Sequence, residues 1–123
     1  LIVLDTSVLV DSLTGPRKSL LRLTQLIEAG ERILLPTLVV YEWLRGPRLP
    51  QELRNYEDLF PDDQVVAFGV QEARVAARLY QTMRSPRRRE IDIAIAAVAI
   101  THDAAIWTLN QEDFRDIKEL SLI

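Results

Sequence analysis

Two short segments, residues 1–4 and 33–35, are apolar at every position rather than at every second one. A strand with one wet face alternates, whereas a strand apolar throughout needs cover on both faces, the condition of a parallel sheet held between helices. The first run stops abruptly at Asp5-Thr6-Ser7 and the second at Pro36-Thr37. Three further segments, 64–68, 105–109 and 120–123, have strand composition and polar or glycine boundaries. Between these runs, Leu20, Leu23 and Ile27 recur at helical spacing, as do Ala73, Ala76, Ala77 and Tyr80, with Gly30 and Gly69 at helix ends. Strand and helix therefore alternate. The expected fold is α/β: a three-layer α/β/α sandwich around a central, mostly parallel sheet of four to five strands. At 123 residues it forms one domain, 1–123.

Composition removes several kinds of chemistry. The chain has no cysteine and one histidine, His102, so thiolate zinc sites, thiol nucleophiles and multi-histidine sites are excluded. Any metal is held by oxygen. The absence of cysteine also fits a reducing cytoplasmic setting. A net charge of −3 provides no global basic field for nucleic acid or a membrane surface. The opening strand lacks the basic flank and long apolar core of a secretion signal, and no apolar run reaches the ~20 residues of a membrane span. A soluble protein is expected.

Residues 91–100 carry nine apolar side chains and one carboxylate, Asp92. A helix apolar all round is buried, so Asp92 enters a low-dielectric region at the helix start, where the helix dipole offers partial compensation. His102, just past this helix, reads as a cap. Ligands in open parallel sheets collect beyond the carboxyl ends of the strands. Asp5 follows the first strand, Glu42 lies on the helix begun at Pro36-Thr37, and Asp113 follows the strand at 105–109. Carboxylates ~5 Å apart repel by about 3 kcal/mol at an effective dielectric of 20, so a shared pocket needs compensation. Mg²⁺ or Mn²⁺ supplies it with oxygen ligands and bridges to phosphate, which points to metal-assisted hydrolysis without a side-chain nucleophile. Thr6, Ser7, Thr108 and Asn110 have two readings: supports for water and carboxylates, or simple caps of neighbouring helices and turns. Glu42 likewise reads as an acid of the pocket or as a solvated helix residue. Arg84, Arg87, Arg88 and Arg89 precede Asp92 and suit flanking phosphates of a nucleic acid, or form a solvated loop; Arg45 and Arg48 extend the same rim, while Arg17, Lys18 and Arg22 read as ordinary surface.

Taken together, Leu4-Asp5-Thr6-Ser7-Val8, Tyr41-Glu42-Trp43, Asp92-Ile93-Ala94-Ile95-Ala96-Ala97 and Thr108-Leu109-Asn110-Gln111-Glu112-Asp113-Phe114 resemble the PIN-domain ribonucleases, and within them the VapC-type toxins of prokaryotic toxin–antitoxin pairs. The resemblance implies a PIN-like fold, Mg²⁺ or Mn²⁺ in an acidic pocket, endonucleolytic cleavage of RNA, a homodimer, and inhibition by a VapB-type antitoxin whose tail occupies the groove. Carried over by position, Asp5 and Asp92 are metal ligands, Glu42 the third acid, directly or through water, and Thr6 and Thr108 supporting hydroxyls. The fourth position departs from the pattern. Many relatives have Asp where this chain has Asn110, a poorer ligand for a hard ion, and Asp113 stands three residues further on as the substitute. An amphipathic antitoxin helix is expected near Leu44, Leu49 and Leu53, while Tyr56, Leu59, Phe60 and Phe68 have two readings, apolar surface for a dimer or ordinary core packing.

Two other readings use the same residues. A phosphatase with an Asp nucleophile needs a second Asp at the place of Ser7 and a well-placed late Lys, where only Lys118 stands. A PIN-fold regulator that binds RNA or antitoxin without cleaving is favoured by Asn110 and disfavoured by the three remaining acids.

Overall fold

The computed structural model describes all of residues 1–123. Four strands, β1 (Ile2–Leu4), β2 (Ile33–Pro36), β3 (Val65–Val66) and β4 (Ala105–Trp107), form one wholly parallel sheet in the order β3-β2-β1-β4. Ile2 pairs with Ile33 on one side and with Ala105 on the other. Six helices complete the fold: α1 (Thr6–Leu13), α2 (Leu20–Glu28), α3 (Thr37–Arg45), α4 (Pro50–Leu59), α5 (Val70–Thr82) and α6 (Glu90–Thr101). The expected α/β sandwich is present. Every residue of β1 and β2 is buried, as a sheet covered on both faces demands.

The predicted strands are trimmed at their ends. The segment 64–68 pairs only at Val65 and Val66, and 105–109 pairs only through Trp107. The anticipated fifth strand at 120–123 shrinks to one parallel bridge, Ile106 with Leu122, because the polar turns on either side of Ile117 leave it too little length to run along β4. Gly30 ends α2 with φ +90°, the left-handed conformation that a residue without Cβ adopts at no steric cost.

α6 behaves as an apolar helix should. Ile93 through Ala99 are all buried, against α5, α3, β1 and β4, and the alanines among them let neighbouring backbones approach closely. His102 is its C-terminal cap residue, as expected. Of the two readings of Tyr56 and Phe60, the structure shows core packing: Tyr56 stacks on Trp43 at 5.8 Å and meets Phe60 at 6.0 Å. The helix from Pro50 turns these rings inward and closes the core beneath α3. No helix is long and apolar enough to cross a membrane.

Candidate acidic active site

Chain order and spatial order together locate the site. From β1 the chain moves to β2 and β3 on one side, then returns to place β4 on the other, so β1 and β4 flank the switch point of the sheet. Their carboxyl ends are tied by the Asp5 N–H donating to the Trp107 carbonyl at 3.0 Å. Asp5 thus leaves β1 beside Thr108 leaving β4, and its backbone also starts α1. Although Asp5 is only 5 % exposed, it is not stranded: the hydroxyls of Ser7 and Thr108 both donate to Oδ2, each at 2.8 Å. The Ser7 and Thr108 oxygens lie 3.4 Å apart, but with both protons directed at Asp5 this is proximity within a fork. The fork is itself pinned, since Leu109 N–H donates to Ser7 and Asn110 N–H to Thr108. One carboxylate oxygen is committed; Oδ1 is left for another partner.

Glu42 arrives from α3, the helix that follows β2. Thr6 donates to its Oε1 at 2.6 Å, and Arg45 reaches Oε2 at 3.3 Å while lying over the Tyr41 ring. Helical rotation separates its neighbours: Tyr41 faces solvent and Trp43 is fully buried beneath Arg48. Asp92 arrives from the first turn of α6, half-buried and without the capping hydrogen bond that would explain it as a mere helix start. Its carboxyl is pushed up to about 6, chiefly by burial and then by the charges of Asp5, Asp113 and Glu42, against a smaller opposing effect of Arg89. Three acids from three elements therefore feel one another across one site. Asp5, Thr6, Ser7, Glu42, Asp92 and Asn110 line a common pocket of about 470 Å³.

Other predicted residues fall elsewhere. Asp113, on a 3₁₀ turn (Gln111–Asp113), is exposed and lines the neighbouring cleft rather than this pocket, although its charge reaches Asp92. Asn110 lines both, its side chain making no hydrogen bond within the chain. Arg84, Arg87 and Arg88 are exposed on the loop before α6 and do not line the pocket. Arg89 is already occupied: it grips both oxygens of Asp116 at 2.7 and 2.8 Å and donates to the Asp113 carbonyl at 2.7 Å. Its placement with the open arginines is corrected. It ties the start of α6 to the segment bearing Asp113, so three guanidiniums of that cluster stay open, not four.

The pocket also contains groups the sequence reading passed over. Asp11 and Thr14 line it with Gly15 and Pro16, and Asp11 accepts from Ser19 at 2.6 Å. Ser7, Asp11 and Thr14 stand at helical spacing in the sequence, a polar stripe along α1 and its cap that marks the face toward the site.

The donor set suits a hard cation. No group of three acids is arranged as a ready-made cage, yet Mg²⁺ characteristically takes one or two carboxylates and keeps its remaining positions for water and phosphate. A raised Asp92 carboxyl beside a buried Asp5 with one unengaged oxygen is a site short of positive charge.

The chain is similar to known proteins in sequence and in fold. Residues 2–120 match the PIN domain. Ribonuclease VapC19 of Mycobacterium tuberculosis (strain CDC 1551 / Oshkosh) is 38 % identical over 116 residues, covering 91 % of this chain and 90 % of that protein. Among solved structures, VapBC2 from Rickettsia felis bound to a DNA fragment from its promoter superposes with a TM-score of 0.71 at 19 % identity, covering 99 % of this chain and 96 % of that one. A toxin–antitoxin complex from Klebsiella pneumoniae gives a TM-score of 0.75 at 22 % identity, covering 100 % and 96 %. The chain belongs to the PIN-domain family, among its VapC ribonucleases.

Proposed function

We propose that this chain is a Mg²⁺- or Mn²⁺-dependent endoribonuclease, the toxin of a type II toxin–antitoxin pair. The observation that carries the reading is the meeting of Asp5, Glu42 and Asp92, from three separate elements, at the switch point of a parallel sheet. Asp5 and Asp92 would hold the ion, with Glu42 as third acid directly or through water. When bound, the ion supplies positive charge to the phosphate oxygens and acidifies a water molecule. The chain's own part is positional. Ser7 and Thr108 fix the Asp5 carboxylate, Thr6 and Arg45 fix Glu42, and the Asn110 amide offers a neutral hydrogen-bonding group at the mouth. Hydrolysis then joins a water oxygen to phosphorus and releases the sugar oxygen, which leaves with a proton. Asp113 stands close enough to strengthen the negative field but outside the lining, so a single ion suffices for this scheme.

Exposed Leu44 and Leu49 on and beyond α3 support the docking of an amphipathic VapB-type antitoxin helix, with a basic tail residue directed at the acids. With Tyr56 and Phe60 internal, a homodimer needs another face; Val70 and Tyr80 of α5 are exposed and apolar. A cytoplasmic location accords with an RNA substrate. A second reading, a binding regulator without cleavage, draws on Asn110 and on the absence of a preformed three-acid cage. One experiment separates them. Metal-stripped protein, incubated with a mixed RNA panel with and without Mg²⁺ or Mn²⁺, should cut only when the ion is present, and Asp92→Asn should not cut. Folded, antitoxin-free protein that binds RNA but cuts none of the panel with either ion would establish the regulator instead.

A further inference from the structure

Beyond Asn110 the acid pocket opens into a second cleft of about 620 Å³, with Leu109 and Asn110 as the shared wall. Its chemistry differs. Trp107 and Ile123 give it an apolar floor, Leu109 an exposed apolar shelf, and Asn110 and Gln111 two amides. Gln111 spends one N–H on the Ile123 carbonyl and keeps its amide oxygen free. Of the two acids in its lining, Glu112 pairs with Arg115, and Asp113 is exposed without a salt-bridge partner, on the side toward the acid pocket whose Asp92 its charge reaches. The cation at this cleft is Arg22, held with its guanidinium 4.8 Å from the centre of the Trp107 ring.

An RNA strand crossing the acid pocket must place its neighbouring phosphates somewhere, and a net-acidic face requires an unpaired cation there. Arg45 is engaged by Glu42 and Arg89 by Asp116, whereas Arg22 has no carboxylate within salt-bridge distance. Contact with the Trp107 ring draws the guanidinium to this cleft without neutralising it, and the exposed side chain stays available to a phosphate. The cleft volume lies within the range that accommodates a nucleotide.

Resting on the nuclease reading above, we propose that this cleft is the subsite for the nucleotide adjoining the scissile phosphate: Arg22 takes the phosphate, Leu109 receives the base, and Asn110 and Gln111 read its edge. Arg22 is a substrate-positioning residue. It acts on binding rather than on the chemical step.

The test uses the full chain and one RNA that the unsubstituted protein cuts with Mg²⁺. Arg22→Ala should raise KM about 10-fold and change kcat less than about 3-fold. In the Asp92→Asn background, Arg22→Ala should weaken RNA binding by a similar factor and lower the slope of log affinity against log salt by about one. Arg22→Lys should restore the salt slope but only part of the affinity, since an ammonium keeps the charge and loses the planar fork. Arg74→Ala, an exposed arginine on α5, controls for loss of one charge and should leave KM unchanged. Unchanged KM and unchanged salt slope in Arg22→Ala would overturn the subsite while leaving the nuclease standing. An effect confined to antitoxin affinity would overturn it too, by assigning the cleft to that partner. Absence of ion-dependent cutting by the unsubstituted chain would remove the nuclease reading and the subsite together.

Discussion

Without a bound cation, Asp92→Asn should stabilise this protein. The Asp92 carboxyl is pushed from 3.8 to about 6 by burial and by Asp5, Asp113 and Glu42. A shift of about two units corresponds to about 3 kcal/mol at 1.36 kcal/mol per unit. The side chain is only half-buried, so solvent screening reduces the expected cost to about 1–2 kcal/mol. The sign follows from linkage. Between about pH 4 and 6 the folded chain keeps a proton on Asp92 that the unfolded chain has lost, so this group's contribution to stability falls as pH rises and levels off above about 6. Asparagine carries no charge at any of these values. Urea unfolding in the presence of chelator should therefore show a variant more stable than the parent at about pH 7.5, with the gap shrinking as pH falls toward about 4.5 and no change in m-value. Added Mg²⁺ should stabilise the parent more than the variant and narrow the gap, because only the parent keeps the full ligand set. A variant equal to or weaker than the parent at neutral pH in chelator, or a gap that ignores pH, would refute an uncompensated charge at the start of α6.

Further outcomes follow from the same geometry. Cleavage at limiting Mg²⁺ should climb as pH rises through about 6 and flatten above about 7, because the ligand must be ionised to hold the cation; raising the ion concentration should move the climb to lower pH, read from initial rates. Thr108→Val removes one of the two donors on Asp5 and the acceptor of the Asn110 N–H, so denaturation should show a loss of about 1–2 kcal/mol, and kcat should fall about 10-fold. Arg89→Ala should cost about 1–2 kcal/mol by the same assay, and a double-mutant cycle with Asp116→Ala should be non-additive by about 0.5 kcal/mol or more; additivity would mean that the pair does not interact in solution.

What the sequence makes legible is set by short-range rules. Continuous apolar runs announced β1 and β2, and an apolar segment with a single acid announced α6 with Asp92 at its start. Those signals are legible because burial on both faces leaves no polar position to disguise the period. Strand ends were less legible: Thr108 and Leu109 continue the strand composition of β4, but Thr108 turns its hydroxyl to Asp5 and the pairing stops at Trp107. For Tyr56 and Phe60 the sequence leaves core and surface equally open, because their partner, Trp43, lies on another helix and no local pattern connects them. Arg89 is the sharpest case. In sequence it is one of four similar arginines, and only the approach of Asp116, twenty-seven positions away, makes it a brace while Arg84, Arg87 and Arg88 stay exposed.

The candidate site shows why its acids could be named more easily than arranged. Two of the acids sit where a helix begins, so their local sequence looks like an ordinary cap: Asp5 starts α1, and Asp92 falls in the first turn of α6. Neither behaves as a cap, for neither side chain accepts a capping hydrogen bond. The Asp5 oxygen that accepts hydrogen bonds does so from Ser7 and Thr108, and Asp92 accepts none. A helix start that leaves its carboxylate uncapped forgoes about 1 kcal/mol of available stabilisation. At Asp92 the fold bears a desolvation cost as well, within a helix whose other faces are closed by apolar packing. Local stability alone would replace such a residue with an amide, as the first prediction tests. The charge is useful only if something outside the chain completes it, and the oxygen donors, the open pocket of about 470 Å³ and the guanidinium of Arg22 beside it suit the proposed cation and RNA backbone filling that place together.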